Sequence, residues 1–299
     1  MDADTAAQPF RSVLYIPASK LRALEKARAL RADAVIFDLE DAVAPDSKVQ
    51  ARDTLAAALA EGGYGRRARI VRINALDTEW GETDARTFGV STEAADAILL
   101  PKVAAPGDVD ALTALIAPDM PVWVMMETPQ GILNAAAIAA HPRVTGLVAG
   151  TNDLATDLGT RGRADRLPLL MALQAIVLAA RAAGGVLAID GVYNRFKETE
   201  GLRAECDQGR DLGFDGKTLI HPAQLEAANT AFAPTGDEID LARRQIAAHE
   251  DCAAAGQGVA VVDGQIVEYL HVTAARRLLA RAEAIAAMSA EHTGQETTA

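Results

Sequence analysis

Short apolar runs alternating with alanine-rich helical stretches, eight times over, constrain this chain more than any other feature. The runs are VLYI (13–16), AVIFDLE (34–40), RIVRI (69–73), AILLPKV (97–103), VWVMME (122–127), TGLVAG (145–150), VLAID (186–190) and KTLIH (217–221). Most are nearly continuous in apolar residues, as parallel strands buried on both faces require. Between them lie helical candidates such as 21–31, 49–61 and 168–184. Pro45, Pro106, Pro129 and Pro168 fall where the first turn of a helix accepts a residue without an N–H. Eight βα units in a row predict an α/β fold, a (β/α)8 TIM barrel, with an open doubly wound sheet as the structural alternative. A length of 299 residues suits such a barrel with an addition.

After the eighth run the pattern changes. Residues 223–231 and 237–255 read as helices, and 259–272 as a hairpin turning at Asp263-Gly264. A last helix over 273–288 and a polar tail follow. The expected organisation is therefore a barrel over 1–235 and a helix–hairpin–helix extension over 236–299.

Composition removes several function classes. Half of the residues are apolar, which supplies a large core and excludes global disorder. A net charge of −12 repels phosphate backbones, so no nucleic-acid partner is expected. Cys206 and Cys252 form neither a metal knuckle nor a disulfide framework. No run of apolar residues is long enough to cross a membrane, and the first ten residues lack an apolar leader core. A soluble, cytoplasmic protein without membrane attachment is the expectation.

In a barrel the chemistry sits where strands end. The polar residues there are Asp38, Glu40 and Asp41, then Arg72 and Asn74, Lys102, Glu127, the trio Thr151, Asn152 and Asp153, Asp190, and His221. Several carboxylates in one mouth repel unless a cation neutralises them, and an oxygen-only donor set favours Mg2+ or Mn2+. Each residue also has a plainer reading. DLED (38–41) also fits a solvated loop, Arg72 a structural ion pair, and Asp153 a helix cap. Glu127 precedes Thr-Pro-Gln-Gly, a helix start that favours an anion. His221, before Pro222, fits a stabiliser of the strand end better than a base. GFDGKT (213–218) lacks the spacing of a phosphate loop, and neither a dinucleotide fingerprint nor a nucleophile elbow is present.

These segments together resemble the citrate lyase β-subunit/CoA-ester lyase family. The likeness lies in RSVLYIPAS (11–19), DAVIFDLEDAVAPDSK (33–48), VRIN (71–74), LLPKV (99–103), METPQGILNA (126–135), GTNDLATDLG (150–159) and GFDGKTLIHPAQL (213–225). The resemblance implies a TIM barrel with Glu127 and Asp153 as Mg2+ ligands, Mn2+ being possible. It implies that Arg72 grips oxygens of a 2-oxo acid and that Glu40 and Asp41 hold metal-bound water. Lys20, Arg22 and Lys26 resemble the wall that receives coenzyme A phosphates, although a solvated basic helix face reads equally well. In related lyases the C-terminal hairpin carries an Asp followed two residues later by Pro, and that Asp serves as acid/base. Here Glu268 and Leu270 stand in those places.

The activity so implied is cleavage of a malyl-CoA or citramalyl-CoA type thioester into a 2-oxo acid and acetyl-CoA or a homologue, or the reverse condensation. The rivals are a thioesterase on the same scaffold, a pyruvate-type aldolase without CoA, and a β subunit of a citrate lyase complex acting on a carrier-protein thioester. The extension, unable to bury its apolar residues alone, implies a homo-oligomer, a trimer or hexamer, with Glu268 acting in a neighbour's barrel.

Overall fold

In the computed structural model, which describes residues 8–254 and 259–296, the eight runs pair in sequence order. The strands are β1 (Ser12–Pro17), β2 (Ala34–Asp38), β3 (Ala68–Arg72), β4 (Ala97–Leu100), β5 (Val122–Met126), β6 (Val144–Ala149), β7 (Leu187–Asp190) and β8 (Gly216–Leu219). All pairs are parallel, and β8 returns to β1 with Leu14 opposite Leu219, so the sheet closes. The open-sheet alternative is thereby excluded.

Two apolar sets explain why the runs carry no hydrophobic–polar alternation. Val13, Ala34, Ile36, Ile70, Leu99, Trp123, Val148 and Ile189 form one cluster inside the barrel. Their chain neighbours Leu14, Val35, Phe37, Val71, Ile98, Val124 and Leu147 belong to the second cluster, which packs under the helices. Alternate residues face opposite sides of a strand, and here both sides are dry.

The covering helices are α1 (Leu21–Ala27), α2 (Lys48–Glu61), α3 (Gly81–Phe88), α4 (Pro106–Thr113), α5 (Pro129–Leu133), α6 (Ala135–Ala139), α7 (Thr151–Asp157), α8 (Leu170–Ala183), α9 (Thr199–Leu212) and α10 (Leu225–Ala231). Pro106 and Pro129 begin α4 and α5, while Pro45 and Pro168 sit in 3-10 turns that lead into α2 and α8. The first helix is shorter than the pattern over 21–31 suggests. Beyond Ala27 the chain closes tighter turns, Ala27 O accepting from the Leu30 N–H, before it extends to Asp33 and β2.

Phe10–Phe232 is one compact unit, and the described residues from Ala233 onward belong to another. The second contains α11 (Gly236–Ala254), β9 (Ala260–Val262), β10 (Gln265–Val267) and α12 (Tyr269–Glu296). Asp263 and Gly264 have φ of 51° and 78°, the backbone that a two-residue hairpin turn demands. The hairpin is shorter than the span 259–272. The Glu268 carbonyl already accepts from the N–H groups of His271 and Val272, which starts α12. That helix also continues through residues 292–296, read from sequence as tail; the rest of the tail lies outside the described residues. A small core of Cys252, Ala260, Val267 and Val272 holds this unit together. Both cysteines are buried, and they are not joined in a disulfide. No described helix is long and apolar enough to cross a membrane.

One close fit inside the barrel makes a prediction. Trp123 stands opposite Gly146 on β6, and a Cβ on Gly146 would lie 2.6 Å from the indole. Gly146→Ala should lower stability by about 1–3 kcal/mol through overpacking. Urea denaturation followed by tryptophan fluorescence measures this, and an unchanged midpoint would contradict the fit described.

Candidate active site

The alternation that fills the barrel also decides which strand-end residues enter its mouth. Ala34 and Ile36 face inward, so Asp38 does too; Ile70 leads to Arg72, and Trp123 and Met125 lead to Glu127. These three side chains line a cavity of about 390 Å3, with Tyr15, Asp41, Asp153, Asn194 and Thr218 on its other walls.

Arg72 organises one side of the cavity. Its Nε and Nη2 donate to the two oxygens of Asp38 at 2.8 and 2.7 Å, a two-point pairing between side chains that are both nearly inaccessible. The remaining corner, Nη1, lies 2.8 Å from Glu40 and 3.3 Å from Asp41. The guanidinium carbon sits 5.0 Å from the centre of the Tyr15 ring, and the Tyr15 hydroxyl donates to the Met125 sulfur. An arginine so far from water needs these partners. The structural ion pair and the candidate binding role thus coincide in one residue, with the Nε edge spent on Asp38 and the Nη1 corner facing the acids of the loop. DLED is accordingly no solvated loop: Asp38 is buried, and its carboxylate also accepts from the N–H groups of Glu40 and Ala42.

Glu40 is the unusual acid of this group. Burial pushes its carboxyl up to about 7 against the pull of Arg72, with the charges of Glu127, Asp41 and Asp38 adding to the rise. Although Arg72 is close, Oε2 of Glu40 is buried and receives no well-directed hydrogen bond.

The opposite wall joins three elements. Glu127, just beyond β5, is 2% exposed, and its Oε1 accepts from the backbone N–H of Lys102 at 2.7 Å. Burial raises the Glu127 carboxyl, opposed by that N–H and the Lys102 ammonium. The ammonium lies 3.8 Å from Glu127 and contacts Asp153 in the first turn of α7. Gly150 lets this happen, since a Cβ there would lie 2.3 Å from that of Glu127. Asp153 is therefore more than a cap: Gly150 holds the cap position of α7, and the Asp153 side chain reaches across to Lys102.

The donor set fits a hard divalent cation. Glu127 and Asp153 converge on a point where a positive group already lies, and the neighbouring Glu40 oxygen lacks a donor. Among the described residues no cluster of three or more His, Cys, Asp or Glu side chains is poised to hold a metal. Two carboxylates with open positions suit Mg2+, which keeps several waters. From sequence alone, several carboxylates in one mouth call for a cation from outside the chain. Asp38, Glu40 and Asp41 converge on Arg72, so the crowd of acids alone does not demand a metal.

Other strand-end residues lie elsewhere. Asp190 alternates with inward Ile189 and therefore points outward, where Arg166 and Lys217 bind it at 2.7 and 3.0 Å. Burial alone would raise its carboxyl, but the two cations hold it below the usual range. Asn74 donates to Asp84, which also binds Arg52. His221 accepts the Ala223 N–H through Nδ1 and stacks on Phe196, a stabilising role. Lys20, Arg22 and Lys26 are exposed beside the exit of β1 and form no ion pair with a described residue. Glu268 belongs to the second unit, exposed between β10 and α12, and Leu270 lies in the first turn of that helix, where proline is also tolerated. The supporting roles of Tyr15 and Asp38 were not assigned from sequence, although inward alternation from Val13 and Ala34 marks both.

Known proteins are similar to this chain to different degrees. Residues 11–222 match the family described as HpcH/HpaI aldolase/citrate lyase. The chain is 63% identical over 284 residues to a (3S)-malyl-CoA thioesterase of Cereibacter sphaeroides, covering 95% of this chain and 98% of that one. To citrate lyase subunit beta of Escherichia coli it is 36% identical over 291 residues, covering 91% and 93%. A crystal structure of CitE from Mycobacterium tuberculosis, in complex with magnesium, acetoacetate and coenzyme A, superposes with a TM-score of 0.75 at 32% identity, covering 93% of this chain and 99% of that one.

The raised Glu40 carboxyl has a consequence for stability. Between its ordinary value of 4.5 and about 7 the folded protein holds a proton that the unfolded chain has lost. Its contribution is thus complete below pH 4.5 and disappears as pH rises through about 7. The difference in unfolding free energy between the native protein and Glu40→Gln should fall across that window. A flat difference curve would mean that Glu40 titrates as an ordinary carboxylate.

Proposed function

Because the chain belongs to the HpcH/HpaI aldolase/citrate lyase family, we propose that it is a Mg2+-dependent enzyme that hydrolyses a malyl-CoA type thioester to the free hydroxy acid and coenzyme A. The observation that carries this reading is the 63% identity, along 95% of the chain, to (3S)-malyl-CoA thioesterase. The sequence motifs rank carbon–carbon cleavage first; the full-length likeness favours the thioesterase, the rival at that point.

The residues in and beside the cavity support hydrolysis in the following way. Arg72, fixed by Asp38, turns its Nη1 corner toward a substrate oxygen, which takes the place of the more exposed Asp41. Glu40, with its carboxyl near 7, has the basicity to accept a proton from water at working pH. The water oxygen bonds to the thioester carbonyl carbon, its proton passes to Glu40, and the C–S bond breaks. The departing thiolate then takes up a proton to give coenzyme A. Glu127 and Asp153 would hold Mg2+, which when bound stabilises negative charge on substrate oxygens. Lys20, Arg22 and Lys26, exposed beside the exit of β1 and in no ion pair among the described residues, would receive the phosphates of coenzyme A.

Carbon–carbon cleavage is the second reading, supported by the likeness to citrate lyase subunit beta. It needs an acid/base that serves the carbon next to the thioester, the role proposed for Glu268. Val259, Val261, Ile266, Tyr269 and Leu270 of the same unit are exposed and call for cover. We propose that this unit docks over a neighbouring subunit's barrel in a trimer or hexamer.

Three measurements test these readings. With malyl-CoA and Mg2+, hydrolysis releases a free thiol that a disulfide reagent reports, whereas cleavage releases glyoxylate, which phenylhydrazine traps. Glyoxylate without thiol would overturn the thioesterase reading. Arg72→Lys should lower kcat/KM by about 10²–10³, as expected when a directed electrostatic contact is lost; native kinetics would leave Arg72 a structural residue only. Co-expressed Arg72→Ala and Glu268→Ala chains, each expected to lack carbon–carbon cleavage, should regain that activity in verified mixed oligomers if sites are shared. A dead mixed oligomer would place Glu268 outside the neighbour's site.

A further inference from the structure

Lys102 combines two features that a simple surface lysine lacks. Its φ is +57°, in the left-handed region that side chains of its kind seldom enter. This bend directs its N–H onto Glu127 Oε1, while the side chain turns back so that the ammonium lies 3.8 Å from that same oxygen and contacts Asp153. One residue thus delivers a backbone dipole to Glu127 and a positive charge to both of the carboxylates assigned to Mg2+. The two contacts differ in permanence. The N–H is fixed by the backbone, but the side chain is 43% exposed and has solvent to move into. An ammonium and a divalent ion cannot share the space between two carboxylates, because like charges at that separation repel strongly.

We propose that Lys102 is an exchangeable internal counter-ion. Without metal its ammonium takes the cation position between Glu127 and Asp153 and keeps the two acids together. When Mg2+ enters, the ammonium withdraws toward solvent while the N–H stays on Glu127. The site is therefore held in shape before the metal arrives, at the expense of metal affinity. This inference rests on the reading of Glu127 and Asp153 as the metal ligands.

Mg2+ titration of chelator-treated protein by calorimetry separates the two ideas. Lys102→Met and Lys102→Gln should bind Mg2+ more tightly than the native protein, on the order of tenfold, because the competing charge is gone. Lys102→Arg, which keeps a charge, should bind no more tightly than native. Melting temperatures give an independent readout. The Met variant should melt lower than native without metal, and the gap should close at saturating Mg2+. A purely structural ion pair would instead leave the same gap in both conditions. Equal Mg2+ affinity in native, Met and Gln proteins, or an unchanged gap, overturns the counter-ion role alone. Absence of Mg2+ binding in every variant overturns the metal assignment and this proposal with it.

Discussion

Side-chain alternation along eight closed parallel strands is the constraint on which the rest of this protein depends. Once the sheet closes, every second residue of each strand is committed to an interior with no room for water. Apolar residues meet that commitment through most of the barrel, as Ile36, Ile70, Leu99 and Val148 do. At the C-terminal ends the same inward positions pass to Asp38, Arg72 and Glu127, which are buried by the barrel yet reach its mouth. The scaffold therefore fixes the position of these groups before any loop contributes. A shift of one residue in a strand would exchange its inward and outward sets, so register and site are specified together.

Burying charge in this way is tolerable only with partners. Arg72 and Asp38 form a two-point pair, and breaking such a buried pair commonly costs about 3–5 kcal/mol because one charge is left stranded. The cost of removing either partner anchors Arg72 in a single orientation. Asp190, Arg166 and Lys217 repeat the principle on the outer face of β7 and β8, where Lys217 also binds Glu205 and the Gly191 carbonyl. That second network faces the helix layer, and Gly191, with no room for a Cβ beside Thr151, packs closely against the start of α7. The acids left without full compensation are Glu40 and Glu127, and both have carboxyls raised by burial. Glu127 lines the cavity and Glu40 lies beside it on Arg72, and carboxyls shifted in this way are what functional sites tend to collect.

Much of this was legible in the sequence because a barrel writes itself as continuous apolar runs at regular spacing. Each strand was identified to within a few residues, and the Asp263-Gly264 turn followed from its backbone requirement alone. Glu127 and Asp153 were legible as strand-end acids, and the structure brings both to the Lys102 ammonium. Asp190 misled because a strand end says nothing of its face; only the alternation from Ile189 does. The ionic crowd at DLED misled in another way. Composition counts charges but not partners, and the partner of all three acids is an arginine thirty-odd residues away across the β2–β3 pair. The left-handed turn at Lys102 had no signal, since neither Gly nor Asn marks it. Hairpin and tail limits failed where helix propensity extended α12 in both directions.

The two reactions weighed for this family share nearly everything except the atom attacked. Both need the same grip on the hydroxy acid and the same stabilisation of charge on its oxygens. Hydrolysis sends a nucleophile to the thioester carbonyl carbon, whereas cleavage moves a proton at the carbon beside it. Those two atoms are one bond apart, so a base placed about 1 Å differently serves one outcome better than the other. In this chain the groups that differ in placement are Glu40, fixed in the barrel beside Arg72, and Glu268, carried by a separate unit. In the second reading Glu268, a residue of the unit distinct from the barrel, is the group proposed to serve that carbon. Under the proposed reading, a base carried by the barrel itself favours hydrolysis, because it serves the thioester carbonyl without a residue from the second unit.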